Sequence, residues 1–274
     1  MLCCVYLVAG CGGGGKRPVE AKSPSGELGR TIVDSAKLPE GGFYSGGCVV
    51  TYKQGDLQGI LPPVTPAPVI TRGNEKLKRV ALTIDDGWNA DPRILQYLKE
   101  NNIKFTAFLI GGRGVAESHP ELVQAILDAG GEVCTHTYSH YVMSGKDRSF
   151  VVNELWEGQE AITRVTHRVY PYVRFSGGAY DQNSLDWAAG QGFWVVNWSV
   201  STGDTAANPS VDAQVASTVA GATPGAIILC HFGGHNTYEV LQKAIPQIQT
   251  KGLEVTSLTR VLEGTPYLLK RGQT

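Results

Sequence analysis

The chain has 274 residues, with 24 Lys and Arg against 25 Asp and Glu, so its formal charge is −1. This balance excludes a protein whose surface tracks nucleic acid, because that function needs a clear basic excess. Hydrophobic residues make up 42% and charged residues 18%, which excludes global disorder and allows one large domain. The six cysteines show neither CxxC pairs nor the spacing of a disulfide framework.

An apolar stretch opens the chain at residues 1–9, and it is too short to span a bilayer, which takes about 20 residues. It is typical of the apolar part of an export signal. The four residues Val8-Ala9-Gly10-Cys11 resemble the lipobox of bacterial lipoproteins, in which the cysteine is lipidated. We therefore expect a signal peptide over residues 1–10 and a membrane anchor on Cys11, on the outer face of the cytoplasmic membrane. The alternative is a frayed apolar terminus.

Three further segments flank the region with regular patterns. Residues 11–30 are rich in glycine and lack periodicity, which is typical of a flexible tether. Residues 31–74 form a lead-in rich in Pro and Gly, and residues 266–274 form a C-terminal tail. The sequence thus predicts one folded domain over residues 75–265.

Beyond residue 76, short β-branched runs alternate with amphipathic stretches, which predicts a parallel sheet covered by helices. Seven such strands favour closure into a barrel over a small open sheet. Ser118 and Glu121 have capping-box spacing at the start of the second helix. The strands are expected near 79–84, 105–110, 132–136, 172–175, 193–199, 226–231 and 253–256, and the helices near 91–101, 120–129, 150–166, 184–191, 211–220 and 238–250.

Polar side chains follow the first and third predicted strands. Asp85 and Asp86 come directly after the first strand, and neighbouring side chains leave the backbone in different directions, so the two carboxylates can serve different roles. His136 and His140 follow the third strand, and a spacing of four would place both imidazoles on one face of a helical turn, within reach of one metal ion. The alternatives are an ordinary Asp-Asp-Gly turn and two hydrogen-bonded histidines.

Two more strand ends carry polar groups. Arg174 ends the fourth strand and His231 ends the sixth. Alone, each could be an ion-paired arginine or a hydrogen-bonded histidine. Because the carboxyl ends of parallel strands share one rim, where active sites of such folds form, four such ends together predict a site. Cys134 and Cys230 each lie near a residue of this rim, and we expect small buried thiols there rather than ligands.

In order and spacing, these stretches resemble the polysaccharide deacetylase (NodB homology) family, the family-four carbohydrate esterases, over about residues 75–265. Two departures are visible: Ser176 stands where the third motif usually has proline, and the fourth motif keeps only its second Asp, Asp204, with Thr205 in place of tryptophan. The family motifs T-F-D-D-G, H-[ST]-x-x-H, R-x-P-x-G, D-x-x-D-W and L-x-H fall on residues 83–87 (TIDDG), 136–140 (HTYSH), 174–178 (RFSGG), 201–205 (STGDT) and 229–231 (LCH).

The resemblance implies a fold and a catalytic apparatus. The fold is an α/β one, a distorted seven-stranded (β/α) barrel of the NodB homology type. The metal ligands are Asp86, His136 and His140, with Zn²⁺ as the expected ion and Co²⁺, Ni²⁺ or Mn²⁺ as alternatives. The catalytic groups are Asp85 as general base, Arg174 beside it, the backbone amide of Gly177 at the oxyanion, and His231 as proton donor to the leaving amine.

The resemblance also implies a substrate class. We expect the N-acetyl groups of a cell-surface glycan, with peptidoglycan amino sugars as the natural choice for an anchored protein and a monomer as the working form. Trp198, Leu229 and Asp204 are the candidate substrate contacts, and the first Asp of the fourth motif, which would tether His231, is Ser201 here. The alternatives are a deacetylase of another N-acetylglucosamine polymer and a catalytically weak or silent cell-wall-binding lipoprotein.

Overall fold

The computed structural model describes residues 68–265, and outside them only two short antiparallel strands, Val5–Tyr6 and Phe43–Tyr44. The predicted signal, the lipid anchor on Cys11, the tether, most of the lead-in and the tail lie outside the described residues. Within the described part, none of the helices has both the length and the apolar character that crossing a membrane would take.

The described domain alternates strands and helices as the sequence pattern predicts. The strands are β1 (Arg79–Asp86), β2 (Phe105–Leu109), β3 (Gly131–Thr135), β4 (Tyr172–Val173), β5 (Trp194–Val195), β6 (Val200–Ser201), β7 (Ile227–His231) and β8 (Glu254–Thr256). The helices are α1 (Pro92–Glu100), α2 (Pro120–Asp128), α3 (Arg148–Thr166), α4 (Gln182–Gly190), α5 (Val211–Gly221), α6 (Thr237–Thr250) and α7 (Leu258–Val261), with a 3₁₀ turn at Ser176–Gly178.

All eight strands are parallel and form one sheet in the order β5-β4-β3-β2-β1-β7-β6, with β8 beside the first residues of β1. The predicted (β/α) barrel of parallel strands is confirmed, with one difference. The strand expected over 193–199 forms only at Trp194–Val195 (β5), and a second short strand, β6, follows at Val200–Ser201. β5 and β6 lie at the two edges of the sheet. Four residues carry the chain from one edge to the other, and this brings the edges together and curls the sheet into a barrel.

The lead-in contributes backbone bonds at the same seam. The N–H of Ile70 donates to the carbonyl of Val195 (2.9 Å), and the N–H of Asn197 donates to the carbonyl of Ile70 (2.8 Å). Further along, the N–H of Gly73 donates to the carbonyl of Gly225 (2.7 Å), just before β7. These bonds satisfy edge groups that the sheet leaves unpaired between β5 and β7.

The hydrophobic core has one layer between sheet and helices and another inside the barrel. The central strand β1 is buried along its whole interior, as expected for a parallel strand covered on both faces. Helix α2 differs from its prediction. Its N-cap is His119, which makes no side-chain cap bond, and Pro120 begins the helix with the fixed φ suited to that position, so the predicted capping box from Ser118 is wrong.

Candidate active site

The sheet register brings the predicted rim residues together. Asp85 on β1 pairs with His231 on β7, and Thr135, just before His136, pairs with Val173, just before Arg174. These strand ends open into a cavity of about 520 Å³. Its lining includes Asp85, Asp86, Trp88, His136, His140, Ser176, Gly177, Trp198, Asp204, Leu229, His231 and His235.

The three predicted metal ligands meet at one point. Nε2 of His136 and Nε2 of His140 each lie 3.4 Å from Oδ1 of Asp86, and one ligand atom from each of the three residues lies within 4.8 Å of the others. The two imidazole centroids are 4.8 Å apart. Two histidines and one carboxylate leave coordination positions open, which is the donor set of a catalytic rather than a structural site.

The chemistry of these donors fits a divalent cation. Oδ1 of Asp86 is buried and has no hydrogen-bond partner among the described residues, so a cation would satisfy it. Nδ1 of His136 lies 2.7 Å from the carbonyl oxygen of Arg174. A proton on Nδ1 donates to that carbonyl and leaves the lone pair of Nε2 free to bind a metal, as is usual for histidine ligands.

The segment between the two histidines is a loop, and the helical turn that the spacing suggested is wrong. Thr137 and His140 both have left-handed backbones, with φ of +66° and +58°. The buried carboxylate of Glu154, on α3, holds this loop by accepting the N–H of Tyr138 (3.0 Å) and of Ser139 (2.8 Å), and it also accepts the Ser139 hydroxyl. The loop conformation thus depends on a contact distant in sequence.

Asp85 lies beside the metal ligands and is fixed by Arg174. The guanidinium of Arg174 is fully buried and donates to Oδ1 of Asp85 (2.6 Å) and to the hydroxyl of Thr83 (2.9 Å). Its remaining N–H groups donate to the carbonyls of Val196 and Asn197. The buried guanidinium is therefore paired with a carboxylate, while Oδ2 of Asp85 lies 3.7 Å from Nε2 of His136 at the cavity wall.

His231 is held by Asp204. Oδ1 of Asp204 lies 2.9 Å from Nδ1 of His231, and Oδ2 accepts the backbone N–H of His231 (2.6 Å) and the hydroxyl of Thr237 (2.9 Å). The expectation that Ser201 occupies the tethering position is therefore wrong, because the retained second Asp provides the tether. Asp204, expected to contact substrate, is buried with both oxygens engaged, so the geometry favours a positioning role for it.

The ionisation of the site follows from these contacts. Burial acts to raise the pKa of Asp86, but close contact with His136 and the positive charges of the three site histidines outweigh it and lower that pKa. Burial and the charge of His136 lower the pKa of His140, which favours the neutral, metal-binding imidazole. Burial also acts to lower the pKa of His231, but the hydrogen bond and charge of Asp204 outweigh it and raise that pKa.

The cavity walls include residues that the sequence motifs did not indicate, among them Trp88, Asn89 and His235. Trp88, two residues after Asp86, presents its ring edge-on to His140, with centroids 5.1 Å apart. An aromatic residue directly after the Asp-Asp-Gly turn was the available signal. Trp198 and Leu229 line the cavity as expected, and Trp198 lies 5.6 Å from the guanidinium of Arg174.

The backbone of Gly177 adopts φ +62°, and a Cβ there would meet no atom within 4 Å, so this residue faces open space at the cavity. The hydroxyl of Ser176, which replaces the usual proline, lies 3.2 Å from Nε2 of His140.

The thiols of Cys134 and Cys230 are buried, and burial raises the pKa of each well above its ordinary value, so neither provides a thiolate.

Comparison with known proteins agrees with this geometry. The family model described as polysaccharide deacetylase matches residues 72–196. A peptidoglycan-N-acetylglucosamine deacetylase of Bacillus cereus is 34% identical over 190 residues, which are 67% of this chain and 68% of that protein. A chitooligosaccharide deacetylase of a Bradyrhizobium strain is 31% identical over 201 residues, covering 67% of this chain and 90% of that protein.

One similar solved structure belongs to a pseudoenzyme of this fold. It is a mutant, with restored enzymatic activity, of a CE4 family pseudoenzyme from Bacillus anthracis. It is 30% identical to this chain with a TM-score of 0.67, covering 73% of this chain and 72% of the other. Catalysis therefore has to be argued from the residues present rather than from fold alone. On these sequence and structural matches, the chain belongs to the polysaccharide deacetylase family, carbohydrate esterase family 4.

Proposed function

We propose that this protein is a metal-dependent hydrolase that removes N-acetyl groups from a cell-surface glycan, with peptidoglycan amino sugars as the substrate and acetate as the product. One observation carries the proposal: the ligand cluster of Asp86, His136 and His140 shares one cavity with the Asp85–Arg174 pair and the His231–Asp204 pair. The deacetylase relatives support the same reaction class.

Asp86, His136 and His140 would hold the cation, for which zinc is the natural choice given two imidazoles and a carboxylate, with Co²⁺, Ni²⁺ or Mn²⁺ as possible substitutes. A bound divalent ion would lower the pKa of its water and polarise the acetyl carbonyl. The remaining steps fall to the protein's own groups.

Asp85 accepts a proton from the attacking water, whose oxygen forms a bond to the acetyl carbon. Its hydrogen bond from Arg174 fixes the orientation of the carboxylate. The N–H of Gly177 donates to the developing oxyanion, where its open position allows close approach. His231, whose raised pKa favours the imidazolium, protonates the nitrogen as the C–N bond breaks, and acetate and a free amine leave.

The location of the protein is part of the proposal. A lipid anchor on Cys11 would keep a monomeric domain at the outer face of the cytoplasmic membrane, where peptidoglycan is reached. The deacetylase relatives named for peptidoglycan support this choice of substrate. The formal charge of the protein is near zero, which fits a substrate that binds without long-range electrostatic attraction to the protein as a whole.

The test is acetate release by the full-length chain, loaded with zinc, from N-acetylglucosamine oligomers and from peptidoglycan with and without stem peptides. Wild-type protein should release acetate, and Asp85→Asn should lower kcat by about 10²- to 10⁴-fold, the usual loss for a general base. Asp212→Asn, an exposed carboxylate on α5, is the matched control and should retain activity. No release by wild type would favour a silent cell-wall-binding lipoprotein, and equal release by Asp85→Asn would mean that Asp85 is not the general base.

A further inference from the structure

A run of cations and aromatic rings lies on the surface beside the cavity. The guanidinium carbon of Arg113 lies 4.6 Å from the ring centroid of Tyr141, which lies 6.2 Å from that of Phe150. Nζ of Lys146 in turn lies 5.3 Å from the Phe150 centroid. We call these four residues, Arg113, Tyr141, Phe150 and Lys146, the cationic strip.

The cationic strip is continuous with the catalytic cavity. Trp88, which lines the cavity and meets His140 edge-on, donates its indole N–H to the carbonyl oxygen of Arg113 (3.0 Å). Tyr141 directly follows His140 in the chain.

The surface around the strip exposes large hydrophobic side chains, and the rest of the described surface does not. The large hydrophobic side chains that stand exposed in residues 68–265 are Tyr141, Val142 and Tyr180. Their two loops are joined, because Oδ2 of Asp181 accepts the N–H of Gly145 (2.7 Å). An exposed apolar patch next to a cavity is typical of a ligand-binding surface.

Among the described residues, the guanidinium of Arg113 is not paired with an acid, whereas the charge of Lys146 acts on its chain neighbour Asp147. Within residues 68–265, no carboxylate lies within 4.0 Å of the Arg113 guanidinium. The acids on the adjoining loops are engaged with backbone: Asp147 accepts the N–H of Phe150, and Asp181 accepts that of Ser184 and of Gly145. An arginine held over a ring keeps N–H donors at its edge, and these match a carboxylate.

We infer that the cationic strip binds carboxylates on the glycan chain next to the sugar being deacetylated, so that it selects an acidic, lactyl-bearing glycan over a neutral N-acetylglucosamine polymer. This inference rests on the proposed function and names the substrate class for the same site. The rings provide apolar faces for the sugar units, and Arg113 and Lys146 provide the charge that a neutral polymer cannot use.

The test compares two substrates that differ in the charge of the lactyl groups and in one methyl group on each. One is an oligosaccharide of alternating N-acetylglucosamine and N-acetylmuramic acid with free lactyl carboxylates, and the other is the same oligosaccharide with the carboxylates methylated. The readout is the ratio of kcat/KM for the acid to kcat/KM for the ester, measured by acetate release from the zinc-loaded full-length chain. Wild type should favour the acid, and the preference should weaken as salt concentration rises.

Arg113→Gln should lower this ratio by about threefold to tenfold, mainly through KM for the acid. Arg113→Lys retains the charge and should retain most of the ratio. Arg260→Gln is the control, because Arg260 is a partly exposed arginine at the opposite end of the barrel, where its carbonyl oxygen contacts Arg79 at the start of β1. It should leave the ratio at the wild-type value.

The inference is overturned if Arg113→Gln keeps the ratio within twofold of wild type, or if Arg260→Gln lowers it as much. This outcome differs from failure of the proposed function, in which wild type releases no acetate from either substrate. In that case equilibrium binding of the two oligosaccharides to wild type and Arg113→Gln gives the same ratio without turnover, and it decides for or against the strip by the same criterion.

Discussion

At the scale of single residues, the pairing of Asp204 with His231 supports the proposed role of His231 as proton donor. The carboxylate of Asp204 is fully buried and holds both the ring and the backbone N–H of His231. Its charge and hydrogen bond outweigh burial and raise the pKa of His231. A proton donor needs this, because it must carry its proton at the pH where the enzyme works.

The pH profile of Asp204→Asn tests that pairing. In wild type, His231 is protonated below its raised pKa, so kcat should fall as pH rises through that value. The variant removes the negative charge and replaces one of the two acceptor oxygens by an NH2 group, so the pKa of His231 should fall and the alkaline limb of kcat should move to lower pH. Asp212→Asn should leave the limb in place. A limb that is the same in wild type and Asp204→Asn would mean that another group donates the proton.

At the scale of elements, helix α3 sets the geometry of the loop that carries both histidine ligands. Glu154 and Gly158 lie one turn apart on the buried face of α3. Glu154 accepts the backbone N–H groups of the loop, and Gly158 allows the helix to approach it closely. The spacing of His136 and His140 is therefore a property of a loop and a helix together.

Metal affinity should respond to the Glu154 contact. Glu154→Gln keeps the volume but cannot accept at both oxygens, so the loop loses part of its support and the dissociation constant for Zn²⁺ should rise by about tenfold. Glu157→Gln changes an exposed residue of the same helix and should leave the constant unchanged. The measurement is competition titration with a zinc chelator. Equal affinity in wild type and Glu154→Gln would contradict a positioning role.

Close packing at Gly158 gives a separate prediction for stability. A Cβ there would lie 2.5 Å from the Thr135 hydroxyl and 2.7 Å from the backbone of Thr137. Gly158→Ala should therefore lower the free energy of unfolding by about 1–3 kcal/mol, as overpacking does. Gly190→Ala, at the end of α4 where a Cβ meets nothing within 4 Å, should cost no stability. Denaturant unfolding measures both, and equal effects would contradict the packing argument.

At the scale of the whole molecule, local sequence patterns predict the barrel except at the break between β5 and β6. The alternation of apolar runs and amphipathic stretches predicts the parallel strands and the rim at their carboxyl ends, and Asp85, His136, Arg174 and His231 do meet there. No sequence signal marks the break between β5 and β6, where one continuous strand was expected over 193–199. This break depends on closure of the barrel, which brings together segments distant in sequence.

In the candidate site, too, the sequence predicts residues that lie in contiguous motifs, but it does not predict the contacts that support them from distant segments. The proximity of Asp86, His136 and His140 was predictable because their two motifs lie at the carboxyl ends of β1 and β3, which flank β2 in the sheet. The support given by Glu154 to the ligand loop was not, because that contact spans 15 residues and depends on the position of α3. Asp204 was assigned to the wrong partner, since a motif gives order along the chain and not which carboxylate reaches His231.

Deacetylation by this protein should depend on a metal ion held by Asp86, His136 and His140. The decisive measurement is acetate release from an N-acetylglucosamine-containing glycan, using chelator-stripped full-length protein titrated with Zn²⁺. We expect no release without metal, full release at one equivalent, and, in His140→Ala, loss of both tight zinc binding and release. Release that is unchanged by stripping, or His140→Ala that keeps wild-type activity, would contradict this metal dependence.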